Sequence, residues 1–221
     1  MSDGLPEVLL NFKDPDVNVI FDFGGSAILA SKISNGAPAN IYISAGTSTF
    51  KILESNNLLA KDPETIVKNS LILVATKEFQ NLNTIYDIEK KEISRIAIAN
   101  PDFAPAGEYA IEALRNLKIW NSIKDKVVFG ADVRSTLNYV ITENSDIAIV
   151  YASDILSTSL KPIKIIPKDS YSNIIYPATI IKNSKNQAES EKFLQHLLSE
   201  SSQKIFYKYG FNPVINIESS K

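Results

Sequence analysis

The sequence predicts an α/β fold built on a mostly parallel, doubly wound sheet. Apolar runs of strand length, such as residues 69–76 and 147–151, alternate with segments whose apolar residues recur at helical spacing. Glycine or proline marks turns between them, as at Gly24-Gly25 and Pro105. Alternating strands and helices are typical of a parallel sheet that is covered by helices on both faces.

The N-terminal region predicts a short helix and then a strand–helix–strand unit. Ser2 or Asp3 can cap an amphipathic helix. Residues 17–23 are rich in β-branched and aromatic side chains, which favours a buried strand. Gly24-Gly25 then allows a sharp turn into a helix that begins at Ser26. The helix and second strand of this unit are predicted over residues 26–36 and 41–44.

The alternation continues through the rest of the chain. The further predicted strands are residues 69–76, 94–99, 126–129, 147–151, 162–166 and 173–181. The further predicted helices cover residues 47–58, 86–91, 105–117, a segment opened by residues 131–134, 187–199 and 203–209. Residues 60–68 are predicted to be a polar loop. Pro177 has no backbone N–H, so we expect its strand to lie at an edge or crossover.

Composition excludes several classes of function. The net charge of −2 gives no basic footprint for nucleic acid. The sequence has no Cys, and His196 is its only His, which excludes thiolate metal sites and most nucleophile–base pairs. His196 lies in a predicted surface helix and is more simply structural than catalytic. An enzyme is therefore the weakest hypothesis.

Four positions follow or end predicted strands and could bind an anion together: Ser26, Ala106, Val133 and Tyr151. Ligands of open α/β sheets bind at the carboxyl ends of the strands. Helix N-termini offer unpaired N–H groups and partial positive charge, and the two hydroxyl groups add donors. Such a site suits a fully ionised, symmetric oxyanion, because that ligand needs donors only.

Each position also has a simpler structural interpretation. The simpler role for Ser26 is to cap its helix, which is the commonest role of Ser at a helix start. The simpler interpretation of the helix opened by Pro105 is that it binds nothing. Asp132 is most simply an N-cap, and Tyr at a strand end usually packs in the core. The local patterns leave these alternatives open.

The chain resembles the molybdate-binding proteins of ABC transporters from about Ser2 to Val214. The resemblance rests on eight ordered motifs: FGGSAILASKISNGAPAN, ISA, NSLILVATK, NPDFAPAGEYAIEAL, ADVRSTLNYV, IAIVYASD, YPATIIK and IFYKYGF. No single motif is specific for the family, but the ordered set of eight motifs with consistent spacing is highly specific. The resemblance implies two α/β lobes that hold the ligand between them and are joined by crossing strands at residues 69–76 and 174–181.

The resemblance also implies the domain bounds, the function and the site. Lobe 1 would hold residues 1–74 and 178–221, and lobe 2 residues 75–177. The protein would capture molybdate, and tungstate, and deliver it to a membrane permease as an extracytoplasmic monomer without catalysis or cofactor. The family's ligand contacts carry over to Ser26, Ala106, Val133 and Tyr151, with no direct metal ligand.

Two departures from the family pattern stand out. Asn40 replaces an Asp that many relatives carry, which we expect to affect only a turn. Relatives also begin with a central strand that ends in Ala-Ala-Ser, and Met1-Ser2 aligns just after it. We therefore expect the first strand of lobe 1 to be missing and the natural gene to start upstream with an export signal, whose pattern residues 1–16 lack.

Two rival functions remain open at this stage. The first is a binder of another tetrahedral oxyanion. A protonated anion such as phosphate would gain from a carboxylate acceptor, and Asp22 and Asp132 are the nearby candidates. The second is a cytoplasmic oxyanion sensor, a regulatory domain with the same fold.

Overall fold

The computed structural model describes residues 1, 3–156 and 158–217. The chain forms two compact units. The first comprises Met1–Lys68 with Ile175–Lys221, and the second comprises Asn69–Ile174. The chain thus passes between the units after Lys68 and after Ile174, whereas the resemblance places these passages after residues 74 and 177.

Helices and strands alternate through both units. The helices are α1 (Leu5–Leu10), α2 (Ser26–Ser34), α3 (Phe50–Ser55), α4 (Pro105–Asn116), α5 (Trp120–Ile123), α6 (Val133–Ile141), α7 (Gln187–Leu198) and α8 (Glu200–Lys208). The strands are β1 (Ile41–Ile43), β2 (Glu64–Lys68), β3 (Leu71–Ala75), β4 (Ile96–Ala99), β5 (Val127–Gly130), β6 (Ile147–Tyr151), β7 (Lys164–Ile165), β8 (Ile175–Ile180) and β9 (Asn212–Pro213). No helix in the described part of the chain is long and apolar enough to cross a membrane.

The first helix begins at Leu5, after Gly4 as its N-cap. No side chain among the described residues caps the helix start. Asp3 is therefore not the cap, and Ser2 lies outside the described residues. Leu5 and Val8 are buried, as the amphipathic pattern predicts. The Glu7 carboxylate accepts from Lys208 Nζ and Tyr209 Oη, both at 2.8 Å, which joins α1 to the end of α8.

The sheet of the first unit is antiparallel, which corrects the expectation of a mostly parallel sheet in this unit. Its order among the described residues is β1-β8-β2-β9, and each neighbouring pair is antiparallel. The parallel prediction depended on residues 17–23 pairing beside β1. Instead β8, which follows the second unit, runs between β1 and β2, so the local order of the sequence does not set the strand directions.

Residues 17–23 do not form the predicted strand. Among the described residues, the backbone of residues 18–24 makes no hydrogen bond. Phe21 packs toward Phe193 of α7, with ring centroids 6.4 Å apart, whereas Ile20 is 85% exposed. The alternating pattern of a strand is thus present without a partner. Strand propensity alone does not pair a backbone, because each strand needs a second one to satisfy its N–H and C=O groups.

Pro177 lies in a central strand, so the edge alternative is wrong, whereas its strand begins where the chain passes between the units, as the crossover alternative expects. Its strand β8 has β1 on one side and β2 on the other. The Pro177 carbonyl accepts from the Ser44 N–H at 3.0 Å. On the other side, β2 shifts register between Thr65 and Val67, beside the Thr65–Pro177 pair. This irregularity accommodates a residue that cannot donate.

Strand β2 itself lies within the predicted polar loop, although Thr65, Ile66 and Val67 carry a β-branched signal.

The second unit has the predicted parallel core. Its sheet order is β5-β4-β6-β3-β7 among the described residues. Strands β5, β4 and β6 are parallel neighbours, β3 is antiparallel to β6, and β7 is antiparallel to β3. Strands β3, β4 and β6 are buried along their whole length. One core cluster of this unit comprises Ile72, Val74, Ala97, Leu137, Val140, Ala148, Val150 and Ile155.

Gln203 ties three parts of the first unit together by one buried amide. Its Nε2 donates to the carbonyl of Ile66 at 2.8 Å and to that of Leu197 at 2.9 Å. Its Oε1 accepts from the Val214 N–H at 3.0 Å. The side chain is fully buried, so these hydrogen bonds replace those that the amide and the three backbone groups would make with water in the unfolded chain.

Gln203→Met is expected to lower the free energy of unfolding by about 1–3 kcal/mol, because buried backbone groups would lose their partners. Urea unfolding followed by circular dichroism measures this change. Gln195→Met on the exposed side of α7 is the matched control, with an expected change within about 0.5 kcal/mol. Equal losses in the two variants would contradict the role of Gln203.

Candidate functional site

Ser26 is the first residue of α2, but its side chain does not cap that helix. Gly25 is the N-cap, and the helix start receives no side-chain hydrogen bond. The Ser26 Oγ instead accepts from the Ala45 N–H at 3.2 Å. Ser26 is 8% exposed. The interpretation of Ser26 as a helix cap is therefore wrong, and its hydroxyl lies beside the loop that follows β1.

Three further hydroxyl groups lie next to Ser26, and sequence reasoning did not identify them. The Tyr42 hydroxyl donates to the Ser26 carbonyl at 2.9 Å and lies 2.7 Å from Thr49 Oγ1. Thr49 Oγ1 lies 2.9 Å from Ser44 Oγ. All three side chains are buried. Burial raises the pKa of the Tyr42 hydroxyl, so the group keeps its proton at neutral pH. The only sequence signal was three hydroxyl-bearing residues within or shortly after a strand.

The predicted positions of the second unit lie around the ends of adjacent parallel strands. In the β4–β5 pair, Ala99 is opposite Gly130. The Asn100 N–H donates to the Gly130 carbonyl at 2.7 Å, which extends the pairing past both strand ends. Helix α4 follows β4 after five residues, and α6 follows β5 after two. The two helices therefore begin at the same edge of the sheet.

Two backbone N–H groups at these helix starts carry no hydrogen bond within the described residues: those of Ala106 and Val133. Their neighbours are engaged. The Gly107 N–H donates to the Ala104 carbonyl at 2.9 Å. The Asp132 carboxylate accepts from the Ser135 N–H at 2.8 Å, so Asp132 is the predicted N-cap. An anion is the ligand that such open helix N-termini favour.

Tyr151 ends β6 at the same edge of the sheet. Strand β6 is parallel to β4, with Ala97 opposite Ala148. Tyr151 lies opposite Leu71 of β3 and is 2% exposed. The structure therefore brings the ends of three parallel strands, and with them Ala106, Val133 and Tyr151, to one edge of the second unit. Ser26 belongs to the first unit.

The candidate donors in each unit are neutral hydroxyl or backbone N–H groups. Asp22, one of the two nearby carboxylates, pairs with Lys32 at 3.1 Å. The other, Asp132, is engaged as the cap of α6. The described residues contain no cluster of three or more His, Asp or Glu side chains that could hold a metal ion. The arrangement can therefore bind an anion through hydrogen bonds.

Glycine is required at two positions where α4 and α6 pack against the strand ends, Gly107 and Gly130. A Cβ on Gly107 would lie 2.1 Å from the Ala99 carbonyl oxygen and 2.8 Å from the Pro101 nitrogen. A Cβ on Gly130 would lie 2.8 Å from the Thr136 nitrogen. These are backbone atoms, which cannot rotate away as a side chain can. Both helices thus approach their strand ends as closely as the chain permits.

Comparison with known proteins agrees with this geometry. A family model described as bacterial extracellular solute-binding protein matches residues 9–212. The molybdate-binding protein ModA of Haemophilus influenzae is 35% identical over 96% of this chain and 86% of its own length. A candidate ABC transporter substrate-binding lipoprotein of Bacillus subtilis, YvgL, is 34% identical over 95% of this chain and 82% of its own.

A solved structure extends the comparison to the fold. It is described as the substrate-binding domain of a candidate molybdenum ABC transporter from Clostridium difficile, and it is 34% identical to this chain. The two structures match with a TM-score of 0.78 over 97% of this chain and 95% of the other. The predicted α/β class and periplasmic-binding-protein fold are confirmed.

Gly107→Ala is expected to lower the free energy of unfolding by about 1–3 kcal/mol or more, because the added methyl group overlaps backbone atoms. Urea unfolding of the full chain measures the loss. Gly24→Ala is the control, since its Cβ would meet only the Leu29 side chain at 3.4 Å. A Gly107→Ala variant as stable as the control would show that the start of α4 can move.

Proposed function

We propose that this chain, which belongs to the bacterial extracellular solute-binding proteins, captures molybdate and delivers it to the membrane permease of an ABC transporter. The observation that carries the proposal is the pair of open N–H groups at Ala106 and Val133, on helices that follow adjacent parallel strands. The ModA protein of Haemophilus influenzae supports molybdate as the anion, through its name and its 35% identity.

The proposed donors to the anion are the Ser26 hydroxyl, the N–H groups of Ala106 and Val133, and the Tyr151 hydroxyl. A fully ionised tetrahedral oxyanion presents only acceptors, so each oxygen can be matched by donors without an acceptor in the site. Neutral donors also leave no unpaired cation when the ligand departs, which avoids the cost of a buried isolated charge. Binding and release can then both be fast enough for transport.

Phosphate fits these groups less well than molybdate. At neutral pH it carries a proton that needs an acceptor. Asp22 already pairs with Lys32, and Asp132 caps α6, so neither carboxylate is offered to a ligand. Tungstate has the charge and shape of molybdate, and we include it as a ligand. Sulfate shares the charge but is smaller, so selection against it would come from the size of the site.

The protein would act outside the cytoplasm as a monomer. The family description and the lipoprotein name of the Bacillus subtilis relative support an extracytoplasmic location, either periplasmic or anchored at the cell surface. The anion is carried unchanged, so we propose no catalytic residue and no cofactor. The only His, His196, contacts the Val8 carbonyl through Nε2 at 3.0 Å and packs near Phe12, which is a structural role.

Isothermal titration of the purified chain with molybdate, tungstate, sulfate and phosphate tests the proposal. Molybdate and tungstate are expected to bind at least about a hundredfold more tightly than sulfate, a difference of about 2.7 kcal/mol. Phosphate is expected to give no saturable heat. Stronger binding of phosphate than of molybdate, or no binding of molybdate by the folded chain, would refute the function.

Ser26→Ala is expected to weaken molybdate binding by about tenfold to a hundredfold, the value of a hydrogen bond to a charged group. The same titration measures it. Ser34→Ala in the same helix is the matched control, because the buried Ser34 Oγ has no hydrogen-bond partner among the described residues. If both variants bind like the original chain, Ser26 is not a ligand.

A further inference from the structure

Three hydroxyl groups of the first unit form a hydrogen-bonded chain, and backbone groups of Ser26 and Ala45 join that chain to the Ser26 hydroxyl. Ser44 Oγ, Thr49 Oγ1 and the Tyr42 hydroxyl form a chain with separations of 2.9 and 2.7 Å. The Tyr42 hydroxyl then reaches the Ser26 carbonyl at 2.9 Å. The N–H of Ala45, the residue after Ser44, closes the ring on the Ser26 Oγ at 3.2 Å. We call this arrangement the hydroxyl ring.

The chemistry of these groups fixes the direction of every proton in the chain. A carbonyl oxygen can only accept, so Tyr42 must give its single proton to Ser26. The Tyr42 oxygen can then only accept from Thr49, and Thr49 only from Ser44. The protons of Ser44, Thr49 and Tyr42 are therefore all used inside the ring. Burial, which raises the pKa of Tyr42, keeps that proton in place.

Ser26 is the one member of the hydroxyl ring whose proton is not used there. Its Oγ accepts from the Ala45 N–H, so one of its lone pairs is occupied and its proton is directed elsewhere. Hydrogen bonds within the described residues leave this proton without an acceptor. The ring thus holds the Ser26 backbone through Tyr42, holds its oxygen through Ala45, and leaves a single outward donor.

We propose that Tyr42 and Thr49 are positioning residues that hold Ser26 as a donor to the bound oxyanion. The proposal deepens the function given above and rests on it. A hydroxyl that is held in this way favours an unprotonated ligand oxygen, because one of its lone pairs already accepts from the Ala45 N–H and its proton has no acceptor among the described residues. Neither Tyr42 nor Thr49 needs to touch the anion, since each acts through the geometry of Ser26.

The first test is Tyr42→Phe, which removes only the hydroxyl. It keeps the aromatic ring, which packs edge-on against the Phe50 ring with centroids 5.1 Å apart. We expect a loss of molybdate affinity of about fivefold, the size of one neutral hydrogen bond. Tyr171→Phe is the matched control: its buried hydroxyl accepts from the Leu71 N–H at 3.1 Å, in the second unit and outside the hydroxyl ring. This control is expected to keep the original affinity.

A second pair of variants serves if Tyr42→Phe does not fold. Thr49→Val removes a hydroxyl inside the ring without changing the shape of the side chain. Thr179→Val makes the same change at a buried residue that is paired with Tyr42 in the sheet, but whose Oγ1 donates to the Lys61 carbonyl at 2.7 Å. Weaker molybdate binding is expected for Thr49→Val alone.

A double-mutant cycle separates positioning from general destabilisation. In a Ser26→Ala background, Tyr42→Phe is expected to cause no further loss of affinity, because its effect passes through the missing hydroxyl.

Amide hydrogen exchange without ligand gives a second measurement. The Ala45 N–H should exchange faster in Tyr42→Phe and at the original rate in Tyr171→Phe. An equal loss of affinity in both backgrounds, or an unchanged Ala45 rate, overturns the proposal. Failure of the original chain to bind molybdate would refute the function alone, and the Ala45 rate would still decide whether the ring positions Ser26.

Discussion

The second unit depends on how closely the start of α4 packs against the end of β4. Position 107 has no room for a side chain, because a Cβ would lie 2.1 Å from the Ala99 carbonyl oxygen. This approach places the Ala106 N–H directly beyond the strand. The pairing of β4 with β5, extended by the Asn100 N–H bond to Gly130, brings the start of α6 to the same edge. The close packing at Gly107 and the pairing of β4 with β5 thus bring two open donors to the same edge of the sheet.

The proposed donors of the two units differ in kind. In the second unit two of the three proposed donors are the backbone N–H groups of Ala106 and Val133, whose direction is set by helix geometry and whose effect is strengthened by the helix dipole. The first unit uses a side-chain hydroxyl, which could rotate freely unless its surroundings hold it. Tyr42 and Ala45 supply that restraint by bonding to the carbonyl and to the Oγ of Ser26. Preorganised donors lose less entropy when a ligand binds, which favours affinity.

The sequence predicted most of the second unit because its buried strands are continuous apolar runs that can be identified from their own residues. Strands β4, β5 and β6 and helices α4 and α6 follow apolar runs and turn residues closely, and Asp132 caps α6 as the pattern indicates. The first unit was predicted less well. Residues 17–23 have the composition of a strand but no partner, and β2 was interpreted as a loop although it pairs with β8 more than a hundred residues later. Pairing over such distances leaves no local signal.

The sequence by itself determined the α/β class, the order of most elements, the exclusion of thiol and zinc chemistry, and the four candidate positions for an anion. These follow from residue types and short spacings, which local physical rules can interpret. Only the tertiary structure decided that the first sheet is antiparallel, that Pro177 is central, and that Ser26 bonds to Ala45 instead of capping its helix. The physical reason is that hydrogen bonds between distant segments depend on where the folded chain places them, and a residue's type states only that it can bond, not with which partner.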